Sequence, residues 1–201
     1  MQRLSLRSLL PLITFVLFGF QTKLHAEVDS AAEFFPKSSI FYAEVADPNG
    51  IVESVLSHPL YAKLKSLPEY KAKIAEPEYK QFLMILGFVE GKLGMDWQEA
   101  VATLTEGGVH LAFDPSTNGA AAAIEAKDAD SLEHLRTVLF ELVRNEATRK
   151  GDPDPISEHD YRGLTAWHVG ELRMATLGPW LILVNNSEIG KAVLDQHLDA
   201  K

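Results

Sequence analysis

Between Ser39 and Val45 the run SIFYAEV is β-branched and aromatic. With Pro36 upstream and Asp47-Pro48-Asn49-Gly50 downstream, it predicts a first strand. Ile51, Val52, Val55 and Leu56 then recur at helical spacing and stop before Pro59, which cannot continue a helix. Pro59, Pro68 and Pro77 divide the next stretch into a chain of short helices, each proline tolerated near a helix start where its missing N–H costs nothing. The last of these carries Tyr79, Phe82, Leu83, Ile85, Leu86, Phe88, Val89 and Leu93, apolar almost all round, which predicts a helix buried on most sides. Gly87 and Gly91, four apart on it, offer a place for another backbone to come close. Asp96 with Glu99 has the capping-box spacing for a helix through Leu104, stopped by Gly107-Gly108.

From Val109 the period changes to two. Val109, Leu111 and Phe113 alternate with Gly108, His110 and Ala112, the segment Asp114 to Gly119 makes a turn, and Ala120 to Ala126 returns as the second arm of a hairpin. Alanine is a poor strand former, but here its small faces let helices pack closely on the sheet. Asp128 and Asp130 open a helix with Leu132, Leu135, Val138, Leu139, Leu142 and Val143 on one face, ending near Lys150-Gly151. An acidic, proline-spaced loop follows. Three strands are then predicted at 164–169, 172–177 and 180–184, separated by Gly170 and Gly178-Pro179. Asn185, with Glu188 three residues on, caps a final helix carrying Ile189, Ala192, Val193 and Leu198. The unit of strand, Asx cap and helix recurs at Phe41–Asp47, Ala123–Asp128 and Leu181–Asn186. The expected class is α+β: a mostly antiparallel sheet with helices packed on one face, in the order β-helices-ββ-α-βββ-α.

The N-terminus changes the picture of where such a domain works. Arg3 and Arg7 precede the apolar run Leu9–Phe20, and Leu24-His25-Ala26 closes a polar stretch, as in a secretory signal peptide over 1–26. The apolar run is shorter than the ~20 residues a spanning helix needs. Residues 27–33 read as a linker and 34–201 as one α+β domain, exported to the periplasm or the extracellular space, with no stable membrane span once the leader is removed. The chain carries a net charge of −9, and the leader holds three basic residues and no acid, so the exported part is more acidic still. That balance disfavours nucleic acid, which needs clustered Lys and Arg. The chain has no cysteine, which excludes disulfides, thiol catalysis, Cys-ligated zinc and Fe–S clusters.

The runs FFPKSSIFYAEVADPNGIVESVLSHPLYAKL, LGMDWQEAVATLTEGGVHLAFDP, YRGLTAWHVG and LGPWLILVNNSEIGKAVLD resemble bacterial exported proteins of unknown function common in planctomycetes, a domain-of-unknown-function class. The resemblance spans about Phe34 to Leu198 and implies fold and export, with no activity attached. It further implies a longer tandem protein of which this chain is an N-terminal part or a short variant.

No H-E-x-x-H, G-x-S-x-G, P-loop or EF-hand pattern is present, so no catalytic residue and no cofactor is assigned. The densest polar cluster, Asp152, Asp154, Ser157, Glu158, His159 and Asp160, supplies oxygen and imidazole ligands of the kind a divalent cation takes, with His168 as a further candidate on a strand. His110 and His168 share predicted strand faces with alanines; His58 sits at a helix end, where the dipole favours it. Glu44 and Glu125 occupy matching places in two repeat units and are candidates for a facing carboxylate pair. Trp97, Trp167 and Trp180 with the five tyrosines serve either a ligand groove or the core. The helix Phe82–Val89 offers a docking face for a membrane or partner but has no basic face of its own. These features favour a non-enzymatic binding or scaffolding domain of the cell envelope, with an unidentified envelope protein or ligand as its partner. The alternative is a metal-dependent or hydrolase-like envelope enzyme built on 152–160.

Overall fold

The computed structural model of the chain describes residues 31–199; the expected leader and residues 27–30 of the expected linker lie outside them. The strands are β1 (Phe41–Val45), β2 (Gly108–Asp114), β3 (Gly119–Glu125), β4 (Ile156–Tyr161), β5 (Leu164–Val169), β6 (Leu172–Leu177) and β7 (Trp180–Val184). The helices are α1 (Pro48–Ser57), α2 (Pro59–Ser66), α3 (Pro68–Ile74), α4 (Pro77–Leu93), α5 (Trp97–Leu104), α6 (Ala129–Lys150) and α7 (Ser187–Asp199). All seven strands join one antiparallel sheet in the order β1-β2-β3-β7-β6-β5-β4. The fold is α+β as expected, and β5, β6 and β7 have the bounds their sequence predicts.

One strand is added to the expected order. β4, ISEHDY, falls where the sequence reads as an acidic loop, because four of its six side chains are polar and exposed and no alternation shows. It is an edge strand, and charged residues on an edge discourage pairing with another chain. Arg162 and Gly163, with φ of 53° and 82°, make the two-residue turn into β5, a backbone suited to the twist of paired strands.

The helices also take both faces of the sheet rather than one. On one face α7 lays Ile189, Val193 and Leu194 against Ala121 and Ala123 of β3, Ile182 and Val184 of β7 and Ala175 of β6. The alanines make β3 a shallow floor, so a helix with β-branched side chains can come close; a Cβ on Gly119 would stand 2.6 Å from the Cβ of Ile189. On the other face α6 buries Leu132 and Phe140 with Trp167, Met174, Leu181 and Ile156. Phe140, absent from the predicted stripe, is buried, whereas Leu139 is 37% exposed. The guanidinium of Arg136 lies 4.4 Å from the centre of the Trp167 ring and closes that cluster.

Capping side chains set the element bounds. Asp47, Asp96 and Asp128 accept backbone N–H bonds at the starts of α1, α5 and α6. α7 is capped by Asn186, one residue later than expected: its Oδ1 accepts from the N–H groups of Glu188 and Ile189 at 3.0 and 3.1 Å. Asn185 instead extends the β3–β7 ladder, its Oδ1 accepting from Ala120 N at 2.9 Å. His58 is also a cap: its Nδ1 accepts from Leu60 N at 3.2 Å at the start of α2, which a neutral ring does. Residues 31–34 form a 3-10 turn with Ala31 buried, so part of the expected linker belongs to the packed unit.

The helices α1 to α4 depart furthest from expectation. α4 is not buried on most sides; Phe82, Leu83, Met84 and Ile85 are 38 to 71% exposed, and a Cβ at Gly87 or Gly91 would meet nothing within 4 Å. α1, α2 and α3 contain no buried residue. The prolines impose a nine-residue repeat, with Pro59, Pro68 and Pro77 each opening a helix and Tyr61, Tyr70 and Tyr79 each two positions on. The three tyrosines are half-buried and crowd together, and burial with the neighbouring Tyr61 hydroxyl raises the Tyr70 pKa above its ordinary value. Among the described residues no helix is long and apolar enough to cross a membrane.

Candidate functional site

The α7 face of the sheet continues past α7 toward the edge. Antiparallel register places His159 and Tyr161 of β4, Ala166 and His168 of β5, Arg173 and Ala175 of β6, and Ile182 and Val184 of β7 on this one face, since alternate residues point the same way. With Ser187, Gly190, Lys191 and Leu194 of α7 they line an open groove of about 380 Å³. Its floor is aliphatic, from Ala166, Ala175, Ile182, Val184 and Leu194, and its rim carries His159, His168, Arg173 and Lys191.

His159, His168 and Arg173 on the rim have close partners. The His159 and His168 rings lie 4.2 Å apart, centre to centre, at 42°, on diagonal positions of neighbouring strands. Ser157 Oγ is 3.2 Å from His159 Nε2. Burial, then the charges of His159 and Arg173, lowers the pKa of His168, which keeps that imidazole neutral at pH 7. Arg173 Nε donates to Ser187 Oγ at 2.9 Å and Nη1 donates to the carbonyls of Asn185 and Glu171 at 3.0 and 3.4 Å, so its charge is oriented by neutral partners. At the hairpin end of the groove, Arg162 donates to Asp195 and Asp199 at 2.6 and 2.8 Å and the Tyr161 hydroxyl donates to Asp195 at 3.0 Å. These bonds clip the β4–β5 turn to α7. The Arg162 hydrogen bond, reinforced by Tyr161, outweighs burial and lowers the Asp195 pKa.

The candidate metal ligands at 152–160 do not converge. Asp154 caps Ile156 N at 3.0 Å and accepts from Arg144 Nε at 3.0 Å; these two bonds hold its pKa low. Glu158 lies on the α6 face and accepts from Trp167 Nε1 at 3.2 Å, while Asp160 Oδ1 is 3.4 Å from Gly163 N. Asp152 stays on the exposed turn after α6. Of the candidates, only His159, Asp160 and His168 border the groove, and among the described residues no three His, Asp or Glu side chains form a metal-holding set.

His110 is separate from this groove. Its buried ring has Nδ1 at 3.0 Å from the oxygen of the Tyr42 hydroxyl, which donates to Glu44 at 3.0 Å, and Nε2 at 3.4 Å from Gly107 O. Trp180 packs against its ring at 5.7 Å, with Phe34 beyond at 4.8 Å from Trp180. Glu44 and Glu125 share a face but β2 runs between their strands; Glu44 turns to Tyr42 and Glu125 to Gly107. The candidate carboxylate pair therefore does not form. A smaller hollow of about 230 Å³ near Leu93, Leu104 and His134 brings together one imidazole and one carboxylate, Asp130.

The residues missed at the sequence level are Arg173, Lys191 and Ser187. Arg173 is three residues after Gly170 in a run read only for its strand, and its nearness to Ser187 depends on α7 folding back over the sheet. The chain was compared with family models, curated proteins and solved structures, and none matches it.

Proposed function

We propose that this chain is an exported, non-enzymatic binding domain of the cell envelope, and that its ligand site is the groove between α7 and strands β4 to β6. The ligand class is a small molecule with an apolar body and one anionic group. The observation that carries this reading is Arg173, a guanidinium oriented by a hydroxyl and two carbonyls at the lip of an aliphatic floor, beside His168. A planar guanidinium fixed in this way recognises carboxylate, sulfate or phosphate oxygens. The groove's size falls in the range of about 300–1,000 Å³ usual for small-ligand sites. What weighs against the metal-dependent or hydrolase-like alternative is that Asp154, Glu158 and Asp160 turn to their own partners, leaving the imidazoles without an orienting carboxylate.

The test is titration with a series of short-chain alkyl carboxylates, sulfates and phosphates, read by thermal shift and by NMR of the imidazole C–H signals. Binding should move the His159 and His168 signals, and R173Q should weaken it at least about tenfold, the loss of a charge-assisted hydrogen bond, with the fold intact by circular dichroism. With the alkyl sulfates, whose charge does not change with pH, binding should tighten as pH falls through the lowered pKa of His168, because protonation there adds a second positive charge. No shift at either histidine with any of the anions, or equal affinity in R173Q, overturns the reading.

A further inference from the structure

We infer that the proline-divided arm, residues 59–85, is a docking element for the surface of an anionic phospholipid bilayer. Thirteen large hydrophobic residues are exposed among the described residues, and seven of them, Leu60, Leu64, Leu67, Phe82, Leu83, Met84 and Ile85, fall in this one segment. Leu60, Leu64 and Leu67 follow at i, i+4 and i+7, one stripe along α2 and its C-cap, and all three are at least 45% exposed. Such a stripe faces the interior in an ordinary amphipathic helix. Here Tyr61 is the half-buried residue of α2, and the leucines are exposed.

Charge selects the partner. The segment holds five lysines, Lys63, Lys65, Lys71, Lys73 and Lys80, against three glutamates, Glu69, Glu76 and Glu78, in a chain whose net charge is −9. Lys73 pairs with Glu76 at 2.5 Å, and Lys65 lies over the Tyr61 ring at 4.6 Å. α4 has no basic face, but α3, which carries Lys71 and Lys73, packs against it. The apolar side chains of α4 from Phe82 to Ile85 succeed one another around the helix, so they present no single flat face to a shaped protein groove. A bilayer boundary accommodates apolar groups from several directions, and lysine stems carry their ammonium groups up to the phosphates.

The chain contains no cysteine, so one introduced cysteine takes one dye. The full chain is labelled with an environment-sensitive nitrobenzoxadiazole at L64C, at M84C, or at L139C on α6 as a control. It is then mixed with phosphatidylglycerol–phosphatidylethanolamine vesicles or with phosphatidylcholine vesicles. The apolar run Leu9–Phe20 can hold the chain on any vesicle, so the readout is the local dye and not bulk binding. The expected result is a severalfold rise with a blue shift at positions 64 and 84 on the anionic vesicles only, none at 139, and a loss of that rise in a K63E/K65E/K71E background or at ~1 M salt, where the Debye length is about 3 Å. Unchanged dyes at 64 and 84, or a rise independent of vesicle charge, overturn the inference. Neither outcome touches the groove, whose test uses soluble anions and R173Q.

Discussion

At the scale of single residues, the molecule depends on places where a side chain is absent as much as on those where one is packed. Gly119 sits under Ile189, which is fully buried and cannot move aside, and a Cβ there would also lie 2.8 Å from Thr117 Oγ1. G119A should therefore lower stability by about 1–3 kcal/mol, the cost of overpacking, read as a lower urea midpoint at unchanged slope. Gly190 offers the contrast. Its Cβ would meet only a methyl of Val184 at 3.1 Å, and alanine gains up to about 1 kcal/mol of helix propensity, so G190A should stay within about 1 kcal/mol of the parent. If both substitutions cost the same, the close approach of α7 to β3 is not what fixes Gly119. Beside it, buried Asp114 organises the β2–β3 turn: burial pushes its pKa up, but hydrogen bonds from Ser116, Thr117 and Ser38 outweigh that and hold it at about 2.

Among elements, legibility followed turn and cap signals. β5, β6 and β7 are short runs set off by strong turn signals at Gly163, Gly170 and Gly178, and Asp96 and Asp128 sit at the head of amphipathic runs, so their bounds can be read directly. β4 has no such signal, since its residues owe their extended backbone to the neighbouring strand rather than to a buried face of their own. The groove was half legible for the same reason: His159 and His168 are recognisable as chemistry, while Arg173, Ser187 and Lys191 join them only through sheet register and the return of α7. The β4–β5 turn then becomes the element on which the groove depends. Gly163 has φ 82°, where a Cβ costs roughly 1–2 kcal/mol, and Arg162 within the same turn anchors it to α7. G163A should raise amide hydrogen exchange in β4 and at the turn by about an order of magnitude, while β7 and α6 keep their protection, because an edge hairpin opens without the centre of the sheet. Uniform acceleration through β7 would show that the hairpin is part of the global unfolding unit.

For the whole molecule, the distribution of buried side chains divides one chain into parts of unequal stability. Sheet, α6 and α7 share two apolar clusters, whereas α1, α2 and α3 bury no residue and are joined by single extended residues at His58 and Leu67. Free energy of local opening tracks buried apolar contact, so the arm should open many times for each opening of the sheet. Protease cleavage samples that open population when closing is fast. The arm carries Lys63, Lys65, Lys71 and Lys73, all exposed, so limited trypsin digestion in the absence of lipid should cut first between residues 63 and 73. β1 precedes the arm, yet it is tied to β2 over five residue pairs, with Phe35 buried in the α7-side cluster. The nicked protein should therefore elute as one species in native size-exclusion chromatography and separate into two fragments only on a denaturing gel. First cleavage at Lys127 or Arg162 would place the weakest element in the sheet and not in the arm. Fragments that part under native conditions would mean that β1 is held by its covalent link through α1 to α5 rather than by its ladder.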